Sequence, residues 1–309
     1  MTTQDRQTET PRAFAGVFLK ILHFPLTRII LGSAVCLLVT MAVNSLILKP
    51  LLAQTALQED WARAIRLALV LPVLLGVYAL WFGWYEGRGV TELALRSLPR
   101  DGAAGFLGGL AAISLVILAL RLLGCYEAAF TGGGPLRLFY PLFVLTCLAA
   151  TEEVLFRGIL YRITEASLGT SLALVLTGPL FGLAHITHEN ANLISVLSAG
   201  GGGLLVGVLF SLTRRLWCPI FFHAGWNFAQ VLYGSEVSGM DEFLAYSPLR
   251  SRSSGPEILT GGSFGPENSI VTIALVLLLF AGLLRRMRRR GLMIESRWKR
   301  GHSGGNVPT

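Results

Sequence analysis

Ionisable and amide side chains interrupt three apolar runs in the second half of the chain. The three segments read EEVLFR, FGLAH and HAGWN. The side chains that they contribute are Glu152, Glu153, Arg157, His185, His223 and Asn227. A charge at the centre of a membrane-spanning helix costs roughly 2.5–3.5 kcal/mol, so such groups usually pair, face a wet cavity or serve a function. Packing alone does not account for so many of them, and we interpret the set as a candidate site.

The first segment predicts one structural and one reactive carboxylate. Glu153 and Arg157 are four residues apart, so they can form an ion pair on one face of a helix. Glu152 lies about 100° round the same helix and is left for another task. We expect the arginine to neutralise one glutamate, and the other to point where water or substrate can reach it.

The other two segments repeat the four-residue spacing. Phe181 packs beside His185 in FGLAH, and His223 shares a helix face with Asn227 in HAGWN. A glutamate in a low-dielectric site suits a general base that activates water, and a nearby histidine can pass the proton to a leaving amine. A second histidine and an amide NH₂ are donors suited to an oxyanion. The set predicts hydrolysis of a carbonyl compound, most simply a peptide bond.

The same residue types would also satisfy a catalytic zinc ion. Glu152, His185 and His223 supply three ligands and leave one position open for water. The usual HExxH helix is absent from the sequence. We favour the interpretation without metal or other cofactor, with zinc as the alternative.

Membrane helices are the elements that must position these groups. The chain has 309 residues, of which 53% are hydrophobic and only 14% charged, whereas soluble domains carry about a quarter charged residues. Crossing the hydrocarbon takes about 20 apolar residues. We therefore predict an all-α, polytopic membrane bundle of about eight transmembrane helices, the fifth and seventh short for a full crossing. The predicted spans are Ile29–Leu48, Ala62–Trp84, Ala103–Leu123, Leu138–Ile163, Thr170–Ile186, Leu193–Thr213, Leu216–Tyr233 and Ser269–Leu284.

The positions of the basic residues predict orientation and partners. The net charge is +8, but Lys and Arg cluster before the first span and after the last. Such clusters mark the cytoplasmic side of membrane proteins. We expect a multi-pass protein of the bacterial inner membrane with both termini in the cytoplasm. Its partners would be the lipid bilayer and a membrane protein or peptide substrate, and not nucleic acid.

The remaining features predict structural roles. The cysteines show no CxxC or metal-ligand spacing, which favours small core residues. We expect no removable signal peptide, because the N-terminus lacks a short apolar core that ends in a small-residue cleavage site. Phe14–Phe24 predicts a helix along the membrane interface. The four cysteines are Cys36, Cys125, Cys147 and Cys218.

The spans divide the chain into five parts. Residues 1–28 form a cytoplasmic segment with an interfacial helix, and residues 29–136 form transmembrane helices 1–3. Residues 137–233 hold the catalytic core, transmembrane helices 4–7. Residues 234–268 form an external loop, either a cover over the site or a plain linker. Residues 269–309 form the last transmembrane helix and a basic cytoplasmic tail.

The three motifs resemble those of the CPBP family of intramembrane proteases. This family includes the type II CAAX prenyl endopeptidases and bacterial bacteriocin-processing and self-immunity proteins. EEVLFR fits EExxxR, FGLAH fits FxxxH and HAGWN fits HxxxN, in that order. The resemblance covers about Tyr140–Tyr233, less than a third of the chain.

The resemblance implies a role for each residue of the set. Glu152 would activate the attacking water together with His185. His223 and Asn227 would stabilise the oxyanion. The supporting residues would be Glu153, Arg157 and Phe181.

One position fits this arrangement badly. Counting ~1.5 Å per residue, Glu152 and His223 lie nearer the cytoplasmic side, whereas His185 lies nearer the outer end of its span. A tilted fifth helix, or one broken at Gly178–Pro179, would bring the three side chains level; otherwise the span limits are wrong.

Two other functions use the same features. Buried Glu, Arg and His side chains also build proton relays, so a proton-coupled transporter is one alternative, although no inverted repeat is evident. A non-catalytic immunity or scaffold protein of the same fold is another. We favour the intramembrane endopeptidase.

Overall fold

The structure, a computed structural model, describes residues 20–132 and 134–297, which form a bundle of helices. The helices of the N-terminal part are α1 (Pro25–Ala42), which continues through a π-helical segment (Val43–Leu48) into α2 (Lys49–Ala53), then α3 (Glu59–Glu86) and α4 (Leu98–Leu122). Those of the C-terminal part are α5 (Phe139–Glu153), which continues through a second π-helical segment (Val154–Tyr161) into α6 (Arg162–Leu168), then α7 (Thr170–Ala184), α8 (Leu193–Thr213), α9 (Trp217–Leu232), α10 (Glu257–Thr260) and α11 (Ile270–Arg289).

The lengths of these helices confirm the membrane bundle. Helices α7 and α9, with 15 and 16 residues, are shorter than a full crossing requires, as predicted for the fifth and seventh spans. The protein is therefore a multi-pass, all-α membrane protein. Within the described residues, the six helical runs long and apolar enough to cross are Pro25–Ala53, Glu59–Glu86, Thr91–Leu122, Leu136–Leu168, Leu193–Thr213 and Ile270–Arg289.

Two local predictions differ from the structure. The fourth span does not end at Ile163, because its helix runs on to Leu168 and turns at Gly169, whose φ of 82° suits glycine. The fifth span is not broken, because Pro179 lies inside the continuous helix α7. The predicted interfacial helix lies mostly outside the described residues.

The segment between α9 and α11 is folded. Strands β1 (Tyr126–Phe130) and β2 (Leu249–Ser253) pair antiparallel, with Tyr126 opposite Ser253. Helix α10 follows, and a 3₁₀ turn over Pro266–Asn268 leads into α11. The sheet ties this segment to the connection between α4 and α5, so it is not a plain linker.

Partly buried ion pairs join the first helices to the rest of the bundle. Glu86 lies 2.5 Å from both Arg28 and Arg88 and 2.8 Å from Arg162, which brings α1, α3 and α6 to one carboxylate. Burial acts to lower the pKa of Arg88, but hydrogen bonds from its guanidinium to Glu92 and Glu86 outweigh burial and raise that pKa. The guanidinium therefore stays charged.

The cysteines are core residues, as predicted. All four thiols are free and buried. In the part of the chain that the structure describes, none belongs to a group of side chains able to hold a metal ion.

Glycines bring α4 and α9 together at backbone distance. A Cβ on Gly109 would lie 2.7 Å from the backbone nitrogen of Trp226 and closer still to the carbonyl oxygen of Phe222. Gly105 and Gly225 make equally close approaches. Small residues at helix interfaces permit such contacts in membranes, and this one holds the helix that carries HAGWN.

Replacing Gly109 by alanine should destabilise the protein, because the added methyl group has no space against the backbone of α9. We expect a loss of about 1–3 kcal/mol, measured as a lower midpoint of thermal unfolding in detergent. The control is Gly76→Ala, where a Cβ meets no atom within 4 Å. Equal midpoints for the two variants would contradict the packing described.

Candidate active site

Glu153 lies at the centre of the site. Its side chain is fully buried, and its Oε1 atom is 2.9 Å from Nη1 of Arg157 and 3.0 Å from Nδ1 of His223. The ion pair expected from the i,i+4 spacing is therefore present. Because an unpaired buried charge costs several kcal/mol, this carboxylate constrains both partners, one on its own helix and one on α9.

Arg157 extends the contact to two further helices. Its Nη2 donates to the carbonyl oxygen of Gly203 on α8 at 3.2 Å, and its guanidinium lies 4.4 Å from the centre of the Phe181 ring on α7. That ring is 4.7 Å from the ring of His185 and 6.0 Å from the ring of His223, centre to centre. Phe181 is therefore the spacer between the two imidazoles.

Glu152 and His185 form a second, differently arranged pair. Oε2 of Glu152 lies 3.9 Å from Nε2 of His185, beyond hydrogen-bond distance. That oxygen is buried and accepts no hydrogen bond from the described residues. Nδ1 of His185 is 2.8 Å from the carbonyl oxygen of Phe181, which can only accept, so Nδ1 carries the proton. In the neutral ring, Nε2 is then an acceptor that faces another acceptor.

A cavity of about 60 Å³ lies beside these pairs, with room for water. Glu153, His185, His223 and Asn227 all border it, whereas Glu152 lies outside the cavity wall, next to His185. Asn227 is buried, and no hydrogen bond joins its carboxamide to the described residues. The apolar part of the wall includes Leu205, Val206, Phe222, Trp226, Phe264 and Val276.

The unbroken fourth helix removes the difference in depth. Because this helix reaches Gly169 before it turns, Glu152 and His185 lie at nearly the same number of residues on either side of that turn. In two antiparallel helices, such positions lie side by side. The misfit came from the predicted end of the span at Ile163.

The segment that carries this site matches a known family. Residues 134–229 match the family model described as Type II CAAX prenyl endopeptidase Rce1-like. The match contains all three motifs and helices α5 to α9 up to Ala229. The match covers less than a third of the chain, and we call residues 134–229 the Rce1-like segment because of this similarity. No curated protein matches the chain at a significant level.

Part of the cavity wall lies outside the Rce1-like segment. Ser238, Phe264 and Glu267, from the connection between α9 and α11, complete it. The sequence predicts a loop here without a site residue. The only signal was a carboxylate next to the last span, in LTGGSFGPENS, and nothing in that sequence indicates which helix it contacts.

His188 is a second residue whose contact with the site was not predicted from the sequence. It reads as a solvated turn residue, but its ring lies 4.7 Å from that of His185, and its Nδ1 is 3.2 Å from the carbonyl oxygen of Ser238. It therefore connects the Rce1-like segment to the cavity wall beyond it.

The arrangement does not fit a three-ligand zinc site. His223 contacts Glu153 through Nδ1 and keeps Nε2 free, but among the described residues Glu152 approaches only His185, at 3.9 Å. Over residues 20–132 and 134–297, no group of three or more His, Cys, Asp or Glu side chains is close enough to hold a metal ion. We therefore derive no step that uses one.

Removing Arg157 should destabilise the protein strongly. Arg157→Ala leaves Glu153 buried without its cation, and breaking a buried ion pair in this way costs about 3–5 kcal/mol. Glu152→Ala removes an acceptor that has no partner, so we expect a change below about 1 kcal/mol. Unfolding midpoints of the two variants in detergent provide the comparison. A larger loss for Glu152→Ala would reverse the roles given to the two glutamates.

Proposed function

We propose that the protein is an intramembrane endopeptidase that hydrolyses a peptide bond of a membrane-associated protein or peptide. The observation that carries the proposal is the pair of Glu152 and His185, whose facing oxygen and nitrogen lie 3.9 Å apart with no hydrogen bond between them. The Rce1-like match of residues 134–229 supports the same class of chemistry.

Two acceptors in this position are suited to hold a water molecule. Water next to Oε2 of Glu152 and Nε2 of His185 donates one hydrogen to each, and its free lone pair is then available to attack. Such a base typically contributes about 10²–10⁴-fold to the rate. The Glu152 side chain is 35% exposed, so it is not sealed in the core of the bundle.

The reaction follows from these positions. The water oxygen bonds to the substrate carbonyl carbon while Glu152 takes a proton from the water, and the carbonyl oxygen becomes an oxyanion. The C–N bond then breaks. The proton moves to the leaving nitrogen from Glu152, directly or through His185, which gives a carboxylic acid and an amine.

In this mechanism His223 and Asn227 bind the oxyanion. Nδ1 of His223 is occupied by Glu153, which leaves Nε2 for the substrate. An imidazole protonated on both nitrogens donates from Nε2, and the Glu153 carboxylate offsets its charge. The Asn227 carboxamide has no competing partner among the described residues and supplies the second donor.

We also propose the orientation. Both termini lie on the cytoplasmic side of the inner membrane, because basic residues crowd the end of the last span. Arg286, Arg288 and Arg289 occupy the last turn of α11. The segment between α9 and α11 would then face outward.

Alanine substitutions test the mechanism. With the protein in detergent and a library of membrane peptides, Glu152→Ala and His185→Ala should lower cleavage about 10²–10⁴-fold. Loss of one oxyanion donor, by His223→Ala or Asn227→Ala, should lower it about 10²–10³-fold. The control is Glu257→Ala, which removes an exposed carboxylate in the connection between α9 and α11. Cleavage unaffected by the first two substitutions would remove the mechanism.

Metal dependence is tested separately. We expect cleavage to persist after treatment with a strong chelator, and metal analysis of the active protein to find less than one equivalent of zinc. Loss of activity on chelation, with recovery on adding zinc, would replace the metal-free mechanism by a zinc-dependent one.

A further inference from the structure

Glu267 brings a carboxylate to the cavity from outside the Rce1-like segment. It lies in the 3₁₀ turn that precedes α11, and it borders the same cavity as His223 and Asn227. The segment matched by the family ends at residue 229. The role of Glu267 therefore has to be derived from its own contacts.

Three neutral groups hold this carboxylate in place. Its Oε2 accepts from Nε1 of Trp226 and from Nε2 of Gln230, both at 2.9 Å, and its Oε1 accepts from the hydroxyl of Ser238 at 2.6 Å. An ionised carboxylate offers about four acceptor sites. Oε1 therefore keeps one site free beside the cavity.

Glu267 has hydrogen-bond donors but no counter-charge among the described residues. In the part of the chain that the structure describes, no Lys, Arg or His nitrogen lies within ion-pair distance of it. Glu153 has Arg157 as its cation, whereas Glu267 has none. Glu267 is partly buried beside the cavity; partial removal of a charge from water without a counter-charge is unfavourable, and a cation in the cavity would relieve that cost.

The surroundings of the cavity also carry an excess of negative charge. Three carboxylates, those of Glu152, Glu153 and Glu267, are set against the guanidinium of Arg157 and, in the proposed mechanism, the doubly protonated imidazole of His223, which leaves one negative charge in excess. This local excess is opposite in sign to the +8 net charge of the chain. A site with a net negative charge attracts cationic ligands.

We infer that Glu267 is a specificity-determining residue, which binds a cationic nitrogen of the substrate while an adjacent apolar part fills the rest of the cavity. This inference rests on the proposed function, because it assumes that the ligand of the cavity is the substrate. The substrate class is an apolar membrane peptide that carries a Lys side chain or a free amino terminus close to the cleaved bond. The cationic nitrogen donates to the free site on Oε1. The apolar part contacts Leu205, Val206, Phe222 and Val276.

Binding of matched peptides to the full-length protein tests this inference. The probes are fluorescent apolar peptides of about 20 residues, with one lysine moved along the sequence. In the matched peptides, norleucine, which has a similar chain without the amine, replaces the lysine. A third set has a free or an acetylated amino terminus and distinguishes the two sources of the cation. We expect at least one lysine or free-amine peptide to bind about tenfold more tightly than its uncharged partner.

Glu267→Gln is the decisive variant. Its amide oxygen can still accept from Trp226 and Gln230, and its NH₂ group can donate to Ser238, so the hydrogen bonds survive while the charge is lost. We expect the tenfold preference to fall to near one. Glu267→Asp keeps the charge and should retain part of the preference for the cationic peptide. Glu257→Gln removes an exposed carboxylate in the same connection between α9 and α11 and should retain the full preference.

The preference is measured as the ratio of the dissociation constants of the two matched peptides. A misfolded fraction of the protein changes the apparent affinity for both peptides equally, so it leaves this ratio unchanged. A preference that is unchanged in Glu267→Gln, or no preference in the wild type, overturns the inference. Binding needs no turnover, so the two proposals fail separately. Selective binding without any cleavage would remove the endopeptidase and keep the cation site, whereas cleavage without cation preference would do the reverse.

Discussion

A single buried carboxylate constrains the whole site. Glu153 is fully buried, and its Oε1 atom serves both the guanidinium of Arg157 and the imidazole of His223. Arg157 in turn contacts the Gly203 carbonyl and the Phe181 ring. Because a charge left unpaired in this environment is strongly destabilising, the four helices that supply these groups must meet at one point. The positions of the remaining site residues follow from that meeting.

The neighbouring glutamate, Glu152, has no ion pair with Arg157 because Arg157 pairs with Glu153. The helix turns about 100° per residue, so Glu152 faces away from the arginine and towards His185, with one oxygen unpaired. Two adjacent residues of the same type thus differ in their contacts: Glu153 is paired with Arg157 and His223 and holds helices together, whereas Glu152 makes no hydrogen bond to His185 and is the general base that we propose. Such a division between paired and unpaired carboxylates is a recurrent way to separate structure from chemistry.

The sequence was sufficient for contacts within one helix and insufficient for contacts between distant segments. The i,i+4 spacing predicted the Glu153–Arg157 ion pair because helix geometry alone determines it. Hydropathy predicted the short helices α7 and α9. The end of the fourth span at Leu168 was missed, because Arg162 reads as a boundary residue, whereas the structure buries it against Glu86. Glu267 was missed because its partners lie on α9, and no periodicity links a turn to a helix that far away in the chain.

The central claim is that the Glu153 carboxylate joins α5 to α9 through His223. A double-mutant cycle of Glu153→Gln and His223→Gln, with the free energy of unfolding measured for all four proteins in detergent, tests it most directly. Directly contacting groups show coupling energies of about 0.5–3 kcal/mol, and the contact described predicts a favourable value of at least about 1 kcal/mol. Additive effects, within about 0.5 kcal/mol, would contradict the contact and the site built on it.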